Sequence, residues 1–227
     1  MKIIKLSENF EIEDLNDKTT EDPTSVEKLD PYEKLRDDPG VVWHATSSNF
    51  NDFYLKEIGF HFAETPELAL NAASLSGKQG AVAKPFRLSV RNMLEITGQK
   101  NGFGAEDLLE DMLDRGYIND DQFNEAYDAL EYMDDNPEEF EDRIYKEMES
   151  KGIWVNEPMV IYKQAQAEVL KPFLYKWGID SFKYWNTFDA YGLYSVFLKD
   201  GEEIDSPVQP NWSYIALDNN QITPLSL

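Results

Sequence analysis

Val41-Val42-Trp43-His44-Ala45-Thr46 and Gly59-Phe60-His61-Phe62-Ala63, the latter running into Glu64-Thr65-Pro66-Glu67, are the stretches on which the fold turns. The first follows the turn signal Asp38-Pro39-Gly40. It is a short apolar run with β-branched and aromatic residues, which predicts a buried strand. The second predicts a shorter strand that hands over to a helix. Thr65 suits an N-cap, Pro66 the first helical position and Glu67 the positive end of the helix dipole, so a helix is expected from Pro66 to about Leu75. Between the two strands lies a loop with Phe50, Phe53 and Tyr54. Beyond the helix, Phe86, Leu88 and Val90 alternate with Arg87 and Ser89 at strand spacing.

Further along, the period changes from two to that of a helix. Leu108, Leu109, Met112 and Leu113 make one apolar stripe, closed by Gly116. Phe123, Tyr127, Leu130 and Met133 make a second. Asn136-Pro137-Glu138-Glu139 opens a third helix, with Phe140, Ile144 and Met148 on its apolar side. Each stripe is narrow and backed by charge, which predicts helices lying on a domain with their polar faces outward. A fourth helix, from about Val160 to Trp177, ends at Gly178. Strands are expected at Ser181–Trp185, Leu193–Leu198 and Ser213–Leu217, with residues 201–210 read as a loop because of Gly201, Pro207 and Pro210.

The 227 residues carry a net charge of −23, unevenly spread. Residues 1–40, an expected mostly irregular leader, hold 12 acids and 6 bases, whereas residues 101–150 hold 18 acids and 3 bases. The flanking stretches are close to neutral. So much negative charge repels phosphate backbones and argues against ordinary nucleic-acid binding, while it suits a basic protein partner. There is no cysteine and there are two histidines, which excludes disulfides, thiolate chemistry and a multi-histidine metal site; no metal is expected. No apolar run approaches membrane-spanning length, so a cytoplasmic protein is expected.

Three segments together carry a resemblance. They are Trp43-His44-Ala45-Thr46; Gly59-Phe60-His61-Phe62-Ala63 with the following Thr65-Pro66-Glu67-Leu68-Ala69; and Trp177–Phe182 together with Ser213-Tyr214-Ile215-Ala216-Leu217-Asp218 and Gln221-Ile222. In this order they resemble the ADP-ribosyltransferase family. The likeness is to its histidine-containing branch, that of diphtheria toxin and the poly-ADP-ribose polymerases, and to related domains of phage and mobile-element polyproteins. The resemblance implies an α+β fold with a two-sheet core from residues 41–98 and 170–223, interrupted by an acidic helical insertion at 101–150, all within one domain at 41–227.

It also implies NAD as substrate, with transfer of ADP-ribose to a protein target in a bacterial or phage-infected cytoplasm. By the same correspondence His44 would bind the adenosine ribose and Ala45 the carboxamide through its backbone. Thr46, His61 and Phe62 would complete the cofactor site, the His61 ring standing where the polymerases carry a stacking tyrosine. Two features depart from the pattern. Ala69 and Ala72 stand where the polymerases have a carboxamide-binding serine and a second tyrosine, a role that Asn71 or Ser74 could take after a register shift. Ser213 stands where the transferases place a catalytic glutamate. Glu202, Glu203, Asp205 and Asp189 are the acids that could substitute, Glu203 being the first choice. Without such an acid the alternative is a catalytically degenerate domain acting as an acidic protein-binding module or inhibitor.

Overall fold

The chain folds as α1 (Glu33–Arg36), β1 (Val41–Thr46), β2 (Phe60–Ala63), α2 (Pro66–Leu75), β3 (Val82–Leu88), β4 (Met93–Ile96), α3 (Ala105–Asp114), α4 (Asp120–Asp135), α5 (Pro137–Ser150), α6 (Pro158–Lys176), β5 (Ser181–Asn186), β6 (Leu193–Phe197), β7 (Glu203–Pro207), β8 (Asn211–Ala216) and β9 (Ile222–Pro224). The computed structural model describes residues 33–36, 38–46, 58–76, 81–97, 104–150, 158–190, 193–197 and 203–225. The expected 47–58 loop lies almost wholly outside them.

Seven strands make one mixed sheet in the order β4-β5-β8-β2-β1-β3-β9, and β6 and β7 pair separately as a ribbon. The expected two-sheet core is therefore corrected to one hydrogen-bonded sheet plus a hairpin. The sheet is nevertheless almost divided. β1 pairs with β3 from Val41↔Arg87 to Thr46↔Val82, but meets β2 at the single position Trp43↔Ala63. Residues paired across strands share a face, so Trp43, Ala63, Ser213 and Tyr184 stand on one side. Val42, Phe86, Phe62 and Tyr214 stand on the other.

On that second side Val42, Phe60, Phe62, Phe86 and Ala216 are buried together without any helical residue. Phe62 and Phe86 lie on strands separated by β1, which a flat sheet would hold roughly 9–10 Å apart. Their ring centroids are 5.4 Å apart. The two rings thus meet on this face, which buries its own apolar residues. Close approach of β2 to β8 requires Gly59, where a Cβ would meet the Ala216 carbonyl oxygen at 2.5 Å.

The first side is covered by helices. Leu68, Ala69 and Ala73 of α2 pack with Val41, Trp43, Ala45 and Ala63. Leu108, Leu109 and Met112 of α3, Leu130 of α4 and Leu170 and Leu174 of α6 share one cluster with Ile96, Phe182, Tyr184 and Ile215 of the sheet. α5 joins less directly, through Ile144 against Met133 and Ile161. Leu109, Met112, Leu130 and Ile144 are buried as expected, with Phe123 and Phe140 partly so. The setting differs from the one expected. β4 and β5 run parallel as neighbours, and parallel neighbours need a crossover over one face of the sheet. α3 to α6 are that crossover, so α3 and α4 build the main core rather than lie on a finished one.

Local chemistry explains the boundaries. Thr65 accepts from the Leu68 amide, Asn119 and Gln122 form a reciprocal capping box, and Gly116 and Gly178 take the positive φ that ends α3 and α6. Asp218 and Gln221 form the same reciprocal cap after β8, and the Gln221 amide reaches the Asp180 carbonyl, so Asp218 fixes a turn, as its sequence context suggests. Of the expected leader, residues 1–32 and 37 lie outside the described residues; within the rest α1 is helical, Leu35 packs against the α2 cluster and Arg36 pairs with Glu67. Among the described residues no helix is long and apolar enough to cross a membrane.

Candidate functional site

Where β1 and β2 part, the sheet leaves a cleft of about 170 Å³. Its position follows from the missing ladder. Past Trp43↔Ala63 the two strands no longer exchange backbone bonds, and the freed His61 carbonyl is instead bonded by the His44 side chain, Nδ1 to O 2.9 Å. A carbonyl only accepts, so Nδ1 carries a proton and donates in this bond. His44 also lies edge-on to Phe62, with centroids 5.9 Å apart. The residue read as a ligand is thus also a tie across the split.

Each wall has its own source. β1 gives Trp43, His44 and Ala45, and β2 gives His61, Phe62 and Ala63. α2 gives Ala69, Ala72, Ala73 and Ser76, whose small side chains leave room for a flat group. Tyr184 of β5, Ser213 of β8 and Asp189 from the turn after β5 close the far side. His61 Nδ1 is 3.4 Å from the Tyr184 hydroxyl and the rings meet edge-on, so β2 and β5 are linked across β8.

Ser213 is only 2% exposed, and its hydroxyl oxygen accepts from Asn186 Nδ2 at 3.0 Å. The second hydrogen of that amide goes to Asp189 Oδ2 at 2.6 Å, while Asn186 Oδ1 accepts from the Asp189 backbone amide at 3.0 Å. Asn71 Nδ2 donates to the Asp189 carbonyl. Asn71 is therefore turned toward this loop, and Ser74 is exposed, so neither takes over the positions of Ala69 and Ala72. The cleft is largely apolar, and Asp189 is the one carboxylate among its described lining residues.

Of the residues singled out in the sequence, His44, Ala45, His61, Phe62, Asp189 and Ser213 come together here from four separate segments. Thr46 does not line the cleft; it sits 8% exposed at the far end of β1, opposite Val82. Glu203 is not among the described lining residues either. The segment taken for a loop is the strand β7, and Glu203 pairs with Phe197 at the end of the ribbon away from the Leu193↔Pro207 pair that precedes β8. Tyr184 and Asn186 were not singled out at all. The signal available was the Ser181–Trp185 strand pattern followed by Asn186 and Asp189, residues that hydrogen-bond their own backbone in turns. Among the described residues there is no group of three or more histidines and acids placed to hold a metal ion. Comparison of the chain with family models, curated proteins and solved structures finds no match.

Proposed function

We propose that this chain is an NAD-dependent mono-ADP-ribosyltransferase that seats the nicotinamide ring in the cleft between β1 and β2. The observation that carries this is convergence: His44, His61 and Ser213, picked from three segments of the sequence for one chemistry, line one slot. Size agrees with that reading. A dry cavity of about 150 Å³ accepts a benzene ring, so about 170 Å³ gives room for one flat heterocycle. The ribose and adenosine would lie outside it, beside His44. In the reaction the C1′–N bond breaks, its electron pair leaves with neutral nicotinamide, and the ribosyl carbon becomes oxocarbenium-like. An acceptor on a cellular macromolecule then adds to C1′ and releases its proton. His44 and Ala45 orient the cofactor, and the aromatic walls exclude water.

A second reading, a catalytically inactive domain that engages a basic protein through its acidic helices, draws on Ser213, which offers a hydroxyl where the transferases carry a carboxylate. NAD labelled in the adenine moiety separates the two when incubated with cell lysate. Label appearing on protein supports transfer, and release of free ADP-ribose alone indicates hydrolysis. His44→Ala should weaken NAD binding by about 1–2 kcal/mol through loss of a ribose hydrogen bond. Because His44 also ties β1 to β2, the same change should lower stability by about 0.5–1.5 kcal/mol. Unchanged affinity together with lost stability would make His44 structural only.

A further inference from the structure

The cleft holds a carboxylate on a scaffold that does not need one. Asn186 Oδ1 already closes the turn by accepting from the Asp189 amide, and Asn71 already satisfies the Asp189 carbonyl. A neutral side chain at 189 would leave both bonds in place. Yet the Asp189 carboxylate is held by the 3%-exposed Asn186 amide through Oδ2, and among the described residues Oδ1 has no donor. Asp189 stands in a slot walled mostly by alanines and aromatic rings, with Ser76 and Ser213, where a charge is screened less than at an open surface.

We propose that Asp189 is the specificity-determining charge of this cleft, selecting a cationic planar ring, and that Asn186 positions it by bridging Asp189 to Ser213. This rests on the NAD assignment above. It means that the oxidised cofactor, whose pyridinium ring is positively charged, binds in preference to the reduced cofactor, whose ring is neutral. It also relocates the negative charge that faces the breaking C1′–N bond from Ser213 and Glu203 to the turn after β5. As that bond breaks, the positive charge moves from the ring to the ribosyl carbon, and a carboxylate at the edge of the slot attracts it in both positions. The Ser213 hydroxyl, buried and spent on the Asn186 amide, then serves to aim the carboxylate.

The test is calorimetric titration of the full chain with oxidised and with reduced NAD, with folding of every protein checked by its melting temperature. Wild type should prefer the oxidised form by at least about tenfold, a factor worth about 1.4 kcal/mol. Asp189→Asn should bring the ratio close to one by losing affinity for the oxidised form alone. Asp189→Glu should keep most of the preference. Asn186→Ala, which releases the carboxylate from the amide that aims it, should lower the ratio at least about threefold and serves in place of Asp189→Asn if that protein fails to fold. Asp121→Asn, on exposed α4, changes the net charge equally and should leave the ratio alone. Equal binding of both forms by wild type, or an unchanged ratio in Asp189→Asn, overturns the role of Asp189 and leaves the NAD assignment standing. Binding of neither form by wild type overturns the NAD assignment and this inference with it.

Discussion

Gly59→Ala perturbs the contact on which the registration of the site depends. A Cβ on Gly59 would lie 2.5 Å from the Ala216 carbonyl oxygen and 2.6 Å from Ile215 Cγ2. Neither neighbour can withdraw cheaply. The Ala216 backbone is held between Phe60 on one side and Ser181 on the other, and Ile215 is fully buried in the main core. Relief to an ordinary separation of about 3.5 Å needs a shift of about 1 Å, and overpacking of this kind costs about 1–3 kcal/mol. The opposing effect is the stiffer unfolded chain of alanine, which gains about 0.4–1 kcal/mol only where the native backbone accepts the methyl without strain. The clash wins, giving a net loss of about 1–2 kcal/mol. For a domain of this size each kcal/mol moves the melting temperature by about 2–4 °C, so thermal unfolding should show a drop of about 2–8 °C. NAD binding should weaken as well, since the strand that shifts carries His61 and Phe62. A melting temperature equal to or above wild type would mean that β2 and β8 do not approach in this way. The pairings His61↔Ile215 and Ala63↔Ser213 would then fall, and the arrangement of the cleft with them.

Two further outcomes follow from the helical layer. Met112 is fully buried between α3 and the sheet, so Met112→Ala should cost about 2–5 kcal/mol, and circular dichroism should show helix and sheet melting in one transition; a separate helical transition would show that residues 101–150 fold on their own. Glu106 has its pKa raised above 4.5 by burial and by the nearby charges of Asp134, Asp107, Glu110 and Glu131. Its folded form therefore takes up a proton at higher pH than its unfolded form, and holding it charged at neutral pH opposes folding. Glu106→Gln should raise the melting temperature at pH 7, with the gain shrinking as pH falls toward and below 4.5; a gain that persists at low pH would trace the effect to packing rather than charge.

Much of the secondary structure was legible because its signals are local. Thr65-Pro66-Glu67 marks the start of α2 to the residue, and Gly116 and Gly178 mark the ends of α3 and α6. The strands that escaped notice are those with weak local signals. β4 is four residues long and has a weak alternation, and it becomes a strand by lying parallel to β5 across the whole crossover. β7 carries proline and acid and reads as a loop, and is held extended by β6. Missing β4 hid the parallel pair, and with it the reason why the acidic helices cover the sheet.

By itself the sequence determined what nearest neighbours can enforce: the capped helices, the apolar strands and the concentration of charge in residues 101–150. Tertiary structure alone decided that the sheet is nearly split at Trp43↔Ala63, that His44 bridges the gap, and that Asp189 stands in the cleft. Asp189 reaches its place through Asn186, Ser213 and Asn71, residues 3, 24 and 118 positions away from it. Hydrogen bonds of that span depend on how strands are ordered in a sheet, and no local pattern encodes that order.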